Sequence, residues 1–376
     1  MSEGGPAPLQ VLVGADIGGT SSKVAVGLAG GPVLSYATGP GGNIRSSPGS
    51  VRANLAQTLR AALADARVLE AGLGSAGSAG PIGVHEPGAG DGAAGAALGA
   101  AAGIEVSGLI GMAGAGTGAA PVPEALEAAR GAWSDVGLPG EPRLRGDLAI
   151  AYAAAAQVPD GLLLLSGTGA VAARVRVPDA RPGGDPWAGL EVTARCDGMG
   201  WILGDGGSAV WIGLAGLRAA AAHLDGRGPS TALTGAVLDW AGVADGVEAR
   251  QGLIVAVHSM AASQYGGVAP LVANVAAAGD EVAGTIIEEA VAALVGTAQM
   301  VADPSPAEIV LAGSLLTTAG PVRDGVRAAL ATMFPAAPLR TAEVPVVGAL
   351  RLAAAEAGWP VGGPADLAAG VRAVAQ

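Results

Sequence analysis

At 376 residues, 51% of them hydrophobic, the chain can bury two or three domain cores, and a single small module is excluded. Its formal charge of −12, with no stretch that gathers Lys or Arg, argues against neutralising a phosphate backbone and so against nucleic acid as a partner. Gly 64 and Pro 25 require cores built around small residues, and a single cysteine, Cys196, excludes a disulfide within the chain, a zinc knuckle and a self-contained iron–sulfur site.

Residues 1–10 show no basic region followed by an apolar core, and the Pro-broken run from Val106 to Pro123 is too weakly apolar for a bilayer, so neither a secretory leader nor a membrane span is expected. The expected setting is the cytoplasm. Val11–Asp16 and Lys23–Leu28 read as a hairpin, with Pro32–Thr38 extending it to a meander. Pro48 opens a helix to Ala66, in which Val51, Leu55, Leu59 and Leu63 recur at four-residue spacing. Ala71–Gly103 is an Ala/Gly tract with no assignable element. The GxGxxG formed there by Gly72, Gly74 and Gly77 lacks a strand-to-helix context and reads as chance. A strand at Val106–Met112, a helix at Glu124–Val136, a short strand ending at Gly146 and a helix at Leu148–Gln157 follow.

At Leu162 the scheme restarts, because LLLLSGTGAVAARV repeats the order of VLVGADIGGTSSKVAV: strand, Gly-Thr turn, strand. Two such halves predict a duplicated α/β fold whose Gly-Thr tips face each other across a cleft. The remainder reads as helical from Ser208 to Val301, with a strand at Glu308–Leu311, a Gly-Ser turn and a further helix.

Asp16-Ile17-Gly18-Gly19-Thr20 has the composition of a phosphate cradle, since glycines let backbone N–H groups approach an anion and a Thr hydroxyl adds a donor. Asp16 at a strand end is costly if buried alone, and a hydrated Mg²⁺ is its natural partner; a plain hairpin turn is the other reading. Lys23 reads as a solvated charge without a role. Ser166-Gly167-Thr168-Gly169 carries the same donors. Asp147 reads as the N-cap of its helix and also as a general base for a hydroxyl. His85, His223 and His258 form no cluster and read as structural. In Cys196–Ile212, the sequence CDGMGWILGDGGSAVWI, Asp205 sits in a turn before a helix, and Trp201 and Trp211 read as packed. Gly313-Ser314, between strand and helix, could lie against an adenine and ribose or be an ordinary turn.

Taken in order, these segments resemble the sugar kinase/actin/Hsp70 ATPase superfamily, and within it the N-acetylglucosamine kinase and BadF/BadG/BcrA/BcrD group, over nearly the whole chain. The most specific piece is Cys196–Ile212, similar to C-G-G-W-G-x-x-x-G-D-E-G-S-A-Y-W-I. The resemblance implies duplicated RNase H-like, actin-like ATPase domains with an interdomain cleft. One lobe would span 1–157, with a helix over 359–376 returning to it, and the other 158–358. It implies Asp147 as the base on a sugar 6-hydroxyl and Asp16 as orienting Mg²⁺ through water. Gly18, Gly19, Thr20 and Thr168 would hold the phosphates of ATP, Gly313 and Ser314 its adenosine, and Asn43, Gly169, Cys196, Gly198 and Asp205 an amino sugar. A homodimer is also implied.

Three positions depart from the pattern: Gly206 for Glu or Gln, Gly146 for Thr, and Met199 for Trp. The resulting expectation is an ATP-dependent hexosamine kinase, acting on N-acetylglucosamine first and glucosamine second. A non-catalytic regulatory ATPase that binds nucleotide or sugar is the alternative. The iron–sulfur activators of 2-hydroxyacyl-CoA dehydratases would need two cysteines per subunit, and ROK-type sugar kinases a Cys-rich zinc motif. Both are missing.

Overall fold

Val11, Val13, Ala15 and Ile17 are all buried on one side of the first strand, while a methyl group on Gly14, pointing the other way, would lie 2.8 Å from the backbone nitrogen of Leu350. That alternation sandwiches the strand between two helical layers. The computed structural model describes residues 7–42, 48–65, 103–116, 121–179 and 182–376. Asn43, His85, the Gly72/Gly74/Gly77 match and nearly all of the Ala/Gly tract lie outside these.

Strands β1 (Leu9–Ile17), β2 (Ser21–Leu28) and β3 (Val33–Pro40) form the expected antiparallel meander. β4 (Ile104–Met112) and β5 (Arg143–Gly146) add in parallel beyond β1, giving the order β3-β2-β1-β4-β5. Helices α1 (Pro48–Leu63) and α2 (Pro123–Asp135) cover one face, where Val51, Leu55, Leu59, Ala129 and Trp133 share a core with β1. The ring of Trp133 occupies the space a side chain at Gly108 would need. On the other face α3 (Asp147–Ala153) presses Ile150 against Gly111.

The second sheet repeats the plan. β6 (Asp160–Ser166) is central, β7 (Ala170–Arg176) and β8 (Glu191–Asp197) lie to one side, and β9 (Ile309–Ala312) and β10 (Leu339–Ala342) to the other, in the order β10-β9-β6-β7-β8. β6, β9 and β10 are parallel, whereas only three residues join β6 to β7, too few for a crossover. Its helices are α4 (Ala209–Leu224), α5 (Leu233–Ala241), α6 (Ala249–His258), α7 (Ala269–Ala277), α8 (Glu281–Gln299), the four-residue α9 (Ser314–Thr317) and α10 (Pro321–Met333). Leu162, Leu164, Ile212, Leu294, Ile309 and Leu311 belong to one core. The duplicated α/β expectation is therefore met at the level of strand order.

Two compact units result: 1–159 with 175–193 and 343–376, and 160–174 with 194–342. The final helices, α11 (Val346–Ala357) and α12 (Pro364–Val374), belong to the first, where α11 packs on β1, β4 and α3, and α12 on β3. Strand β8 and the four-residue β10 have no counterpart in the sequence reading. Residues 193–195 of β8 are exposed, so that strand lacks an apolar run, and β10 is too short to display a period.

Candidate functional site

In each unit the candidate residues collect where the parallel strands end, the edge at which open α/β sheets place ligands. In the first, Ile17, Met112 and Gly146 are in register across β1, β4 and β5, so Gly18 and Asp147 both start just beyond one sheet edge. In the second, Leu165, Ala312 and Ala342 are in register, so Ser166 and Gly313 do the same.

The first tip is a tight turn closed by the Gly18 N–H donating to Ser21 O at 2.9 Å, with Gly19 and Thr20 exposed. Gly42 N–H donates to Gly18 O at 3.0 Å, and a methyl on Gly41 would fall 2.5 Å from backbone atoms of Thr20 and Ser21. Only glycine lets that segment lie so close to the tip.

Asp16 is 7% exposed. The expectation of Lys23 as a solvated charge is corrected, because its Nζ lies 3.3 Å from Asp16 Oδ2. The antiparallel register sets Asp16 directly opposite Lys23, which explains the pair. Burial pushes the Asp16 carboxyl above the ordinary carboxylate range, and Lys23 offsets part of that rise. Burial and the Asp16 charge likewise raise the Tyr36 hydroxyl.

A carboxyl whose folded value is raised costs stability only once it ionises. The cost is absent below the unfolded value of 3.8 and grows as pH rises through the window above it. Asp16→Asn is therefore expected to raise the melting temperature at pH 7 and to leave it unchanged near pH 3. Thermal scans of the metal-free protein at both pH values check this, and a lower melting temperature at pH 7 contradicts it.

One buried carboxylate with a single lysine partner suits a hydrated divalent cation that takes its remaining ligands from water and phosphate. Among the described residues no group of three or more His, Cys, Asp or Glu could hold a metal by itself.

Asp147 is half-buried and occupies the first helical position rather than the N-cap, which is Gly146. The reading of Asp147 as the cap is thus corrected by one residue, since β5 runs directly into α3 and leaves no linker for a capping side chain. Its Oδ1 accepts the Leu148 N–H at 3.1 Å. Gly146 has a steric reason, as a Cβ there would sit 2.8 Å from Gly116 O. α3 also ends earlier than expected. Arg351 of α11 donates to Ala153 O and to Ala156 O at 2.9 Å, and its guanidinium stacks 4.3 Å from the centre of the Trp187 ring. Arg145, just before Gly146, donates to Glu356 Oε1 at 2.6 Å. Arg351 and Glu356, absent from the sequence reading, thus fix the segment that bears Asp147 from an element 200 residues away in sequence.

In the second unit, buried Ser166 donates through Oγ to Gly207 O at 3.0 Å, and Ala209 N–H donates to Gly167 O at 2.8 Å, which ties the second tip to the start of α4. Thr168 is exposed at its apex. Gly313, at φ 82°, packs so closely that a Cβ would lie 2.3 Å from Ser166 O. Gly313-Ser314 and the second tip are consequently one surface. Gly313→Ala must adopt φ 82° with ψ 154°, a region essentially reserved for glycine that costs about 1–3 kcal/mol, and push this surface apart. Weakening of ATP binding by about tenfold or more is expected by calorimetry, one decade being 1.36 kcal/mol; unchanged affinity would remove the turn from the nucleotide site.

Asp205 is 8% exposed and has φ 60°; its carboxylate lies 2.9 Å from where a Gly169 Cβ would stand. Burial raises this carboxyl and the nearby Asp197 raises it further, while N–H donation from Ala170 and Gly200 lowers it. Asp205, Gly169 and Thr168 are thus brought together, whereas half-buried Cys196 lines a separate cavity of about 810 Å³ with Asp197, Trp201, Gly206, Trp211 and Met300. Gly198, at φ 72°, packs on Val171. Trp211 is partly buried against the core as expected, but Trp201 is 45% exposed and touches Tyr265 only edge-on, which corrects its assignment to packing. It belongs to the loop before α4 rather than to the helix. His223 has the structural role expected, with Nδ1 2.7 Å from Thr234 Oγ1. Nothing in the structure explains Met199.

The fold is mixed α/β with two five-stranded sheets of like order. A Chromobacterium violaceum protein described as a candidate N-acetylglucosamine kinase superposes with a TM-score of 0.60 at 20% identity, covering 91% of this chain and 98% of that one. A Porphyromonas gingivalis protein with the same description gives 0.59 at 17%, covering 91% and 97%. The family model for the BadF/BadG/BcrA/BcrD ATPase family matches residues 13–353, and the chain belongs to that family. A search of curated protein sequences gives no match. Among the described residues no helix is long and apolar enough to cross a membrane.

Proposed function

We propose that the protein transfers the γ-phosphoryl group of ATP to the 6-hydroxyl of an amino sugar, with N-acetylglucosamine as the first candidate acceptor and glucosamine as the second. The observation that carries the reading is an exposed Gly-Thr tip with a carboxylate near it in each unit: Thr20 and Asp147 beyond one edge of the first sheet, and Thr168 with Asp205, from the loop before α4, against the adjoining Gly169 in the second. Membership in an ATPase family and the fold of the two kinase-described structures support it.

In this reading Gly18 closes the first tip, whose Gly19 N–H and Thr20 hydroxyl bind phosphate oxygens, and in the second unit the Thr168 hydroxyl binds phosphate and Gly313-Ser314 the adenosine. Asp16 is the residue that would orient Mg²⁺ through water. When bound, that ion neutralises charge on the phosphates. Asp205 beside Gly169 is the acceptor-facing pair of the second unit, and Asn43, Cys196 and Gly198 are assigned to the acceptor by the family resemblance alone.

Asp147 takes the proton of the 6-hydroxyl as that oxygen bonds to the γ-phosphorus and the bond from phosphorus to the bridging oxygen of ADP breaks. Phosphoryl transfer asks a protein mainly for positioning and charge stabilisation, and a base in hydrogen-bond reach adds about 10²–10⁴-fold. The net charge of −12 gives no help in attracting ATP, so aimed backbone donors must.

Phosphorus NMR of the product tests the reading. A monoester on O6, and no product from the 6-deoxy sugar, are expected. A 6-deoxy acceptor phosphorylated as fast as its parent would exclude O6 as the acceptor. A regulatory, non-catalytic role would show ATP binding with no ester formed from any sugar.

A further inference from the structure

Asp197 closes β8, and its φ of 64°, like the 60° of Asp205, lies in the left-handed region where glycine is the ordinary occupant. Short carboxylates tolerate that region when they bond to nearby backbone. Asp197 does so twice, with Oδ1 accepting the Asp205 N–H at 2.6 Å and Oδ2 the Gly206 N–H at 2.9 Å. The Asp205 carboxylate lies 2.9 Å from where a Gly169 Cβ would stand; burial raises its pKa, and the Ala170 and Gly200 N–H groups act to lower it. Two charge-assisted bonds therefore tie Asp197 to the backbone of 205–206, and the Asp205 carboxylate packs directly against the second tip at Gly169. The same geometry dictates Gly204, where a Cβ would fall 2.1 Å from Asp197 Oδ1, and favours Gly206, where it would meet Ala293 Cβ at 3.3 Å and Asp197 Oδ2 at 3.6 Å.

We infer that Asp197 is a positioning residue, whose carboxylate pins the backbone of Asp205 and Gly206 so that Asp205 stays against Gly169 and Ala170 in the orientation an acceptor sugar meets. Its sugar half rests on the kinase reading; its pinning half does not. Without the Asp197 oxygens, Asp205 remains chemically intact and loses its fixed backbone. Acceptor affinity then falls and ATP affinity does not.

Two variants of the intact protein test this. Asp197→Gly keeps the backbone conformation accessible and removes both acceptors, while Asp197→Asn keeps the shape and one acceptor oxygen. Hydrogen exchange read by mass spectrometry on a peptide spanning 204–207 is expected to quicken by about tenfold or more in the Gly variant, as charge-assisted bonds are the stronger ones, and to return part of the way in the Asn variant. Steady-state kinetics with N-acetylglucosamine and glucosamine should show the sugar KM rising by about tenfold with kcat and the ATP KM unchanged, again with partial rescue by Asn. Unaltered exchange, or KM values for sugar and ATP that rise together, would overturn the inference. A wild-type protein with no sugar-stimulated turnover would instead overturn the kinase reading and the sugar half with it, and the exchange would still decide the pinning.

Discussion

Asp147→Asn is expected to lower sugar-dependent turnover by about 10²–10⁴-fold, the range that a general base contributes, while ATP affinity stays unchanged. Such a loss corresponds to about 3–5 kcal/mol of transition-state stabilisation at 1.36 kcal/mol per decade. Asn retains an oxygen that can accept the Leu148 N–H at the first position of α3, so the backbone bond seen at 3.1 Å need not be lost. The substitution therefore removes the proton acceptor more than the local structure. Single-turnover measurements with ATP and N-acetylglucosamine separate chemistry from binding. Near-normal turnover would remove Asp147 from the mechanism.

Gly348→Val is expected to destabilise the first unit severely. A Cβ at 348 would stand 1.9 Å from Ile150 O and 2.8 Å from Ala154 N, so α11 can approach α3 only through a hydrogen atom. Both neighbours are backbone of the segment that carries Asp147, and neither can rotate away. Overpacking typically costs about 1–3 kcal/mol and occasionally more, and two β-branched methyl groups against backbone place this case at the upper end. A fall of about 2–4 °C in melting temperature for each kcal/mol is expected in a unit of this size. Gly296→Ala in α8 is the opposite case, because nothing lies within 4 Å of the added methyl group. Helix propensity alone then applies, and stability should rise by up to about 1 kcal/mol. Denaturant titrations of both variants check the pair; a Gly348→Val protein as stable as its parent would mean that α11 and α3 are not in this contact.

Local pattern carried the sequence reading furthest where elements are short-range. The β1–β3 meander, α1 with its Val51-Leu55-Leu59-Leu63 stripe, and the two Gly-Thr tips were all legible, because period and turn chemistry are written in neighbouring residues. The repeated order of SGTG and DIGGT between apolar strands made the duplication visible as well. The Asp16–Lys23 pair could have been found by counting back from the tip across an antiparallel hairpin.

Arg351 and Glu356 could not, since their partners around Asp147 are about 200 residues earlier and no local signal joins them. Asp197 was hidden differently. In a run of glycines a carboxylate reads as one more turn residue, and only coordinates reveal that it accepts the N–H groups of Asp205 and Gly206. β8 escaped notice because its middle residues are exposed and give no apolar alternation.

The central claim is that ATP is consumed in order to phosphorylate an amino sugar. A coupled assay of ADP release with N-acetylglucosamine, glucosamine, N-acetylmannosamine and glucose tests it most directly. The account predicts stimulation by the amino sugars, greatest with N-acetylglucosamine, and its loss in Asp147→Asn. ATP hydrolysis that proceeds at one rate with or without every sugar would contradict it.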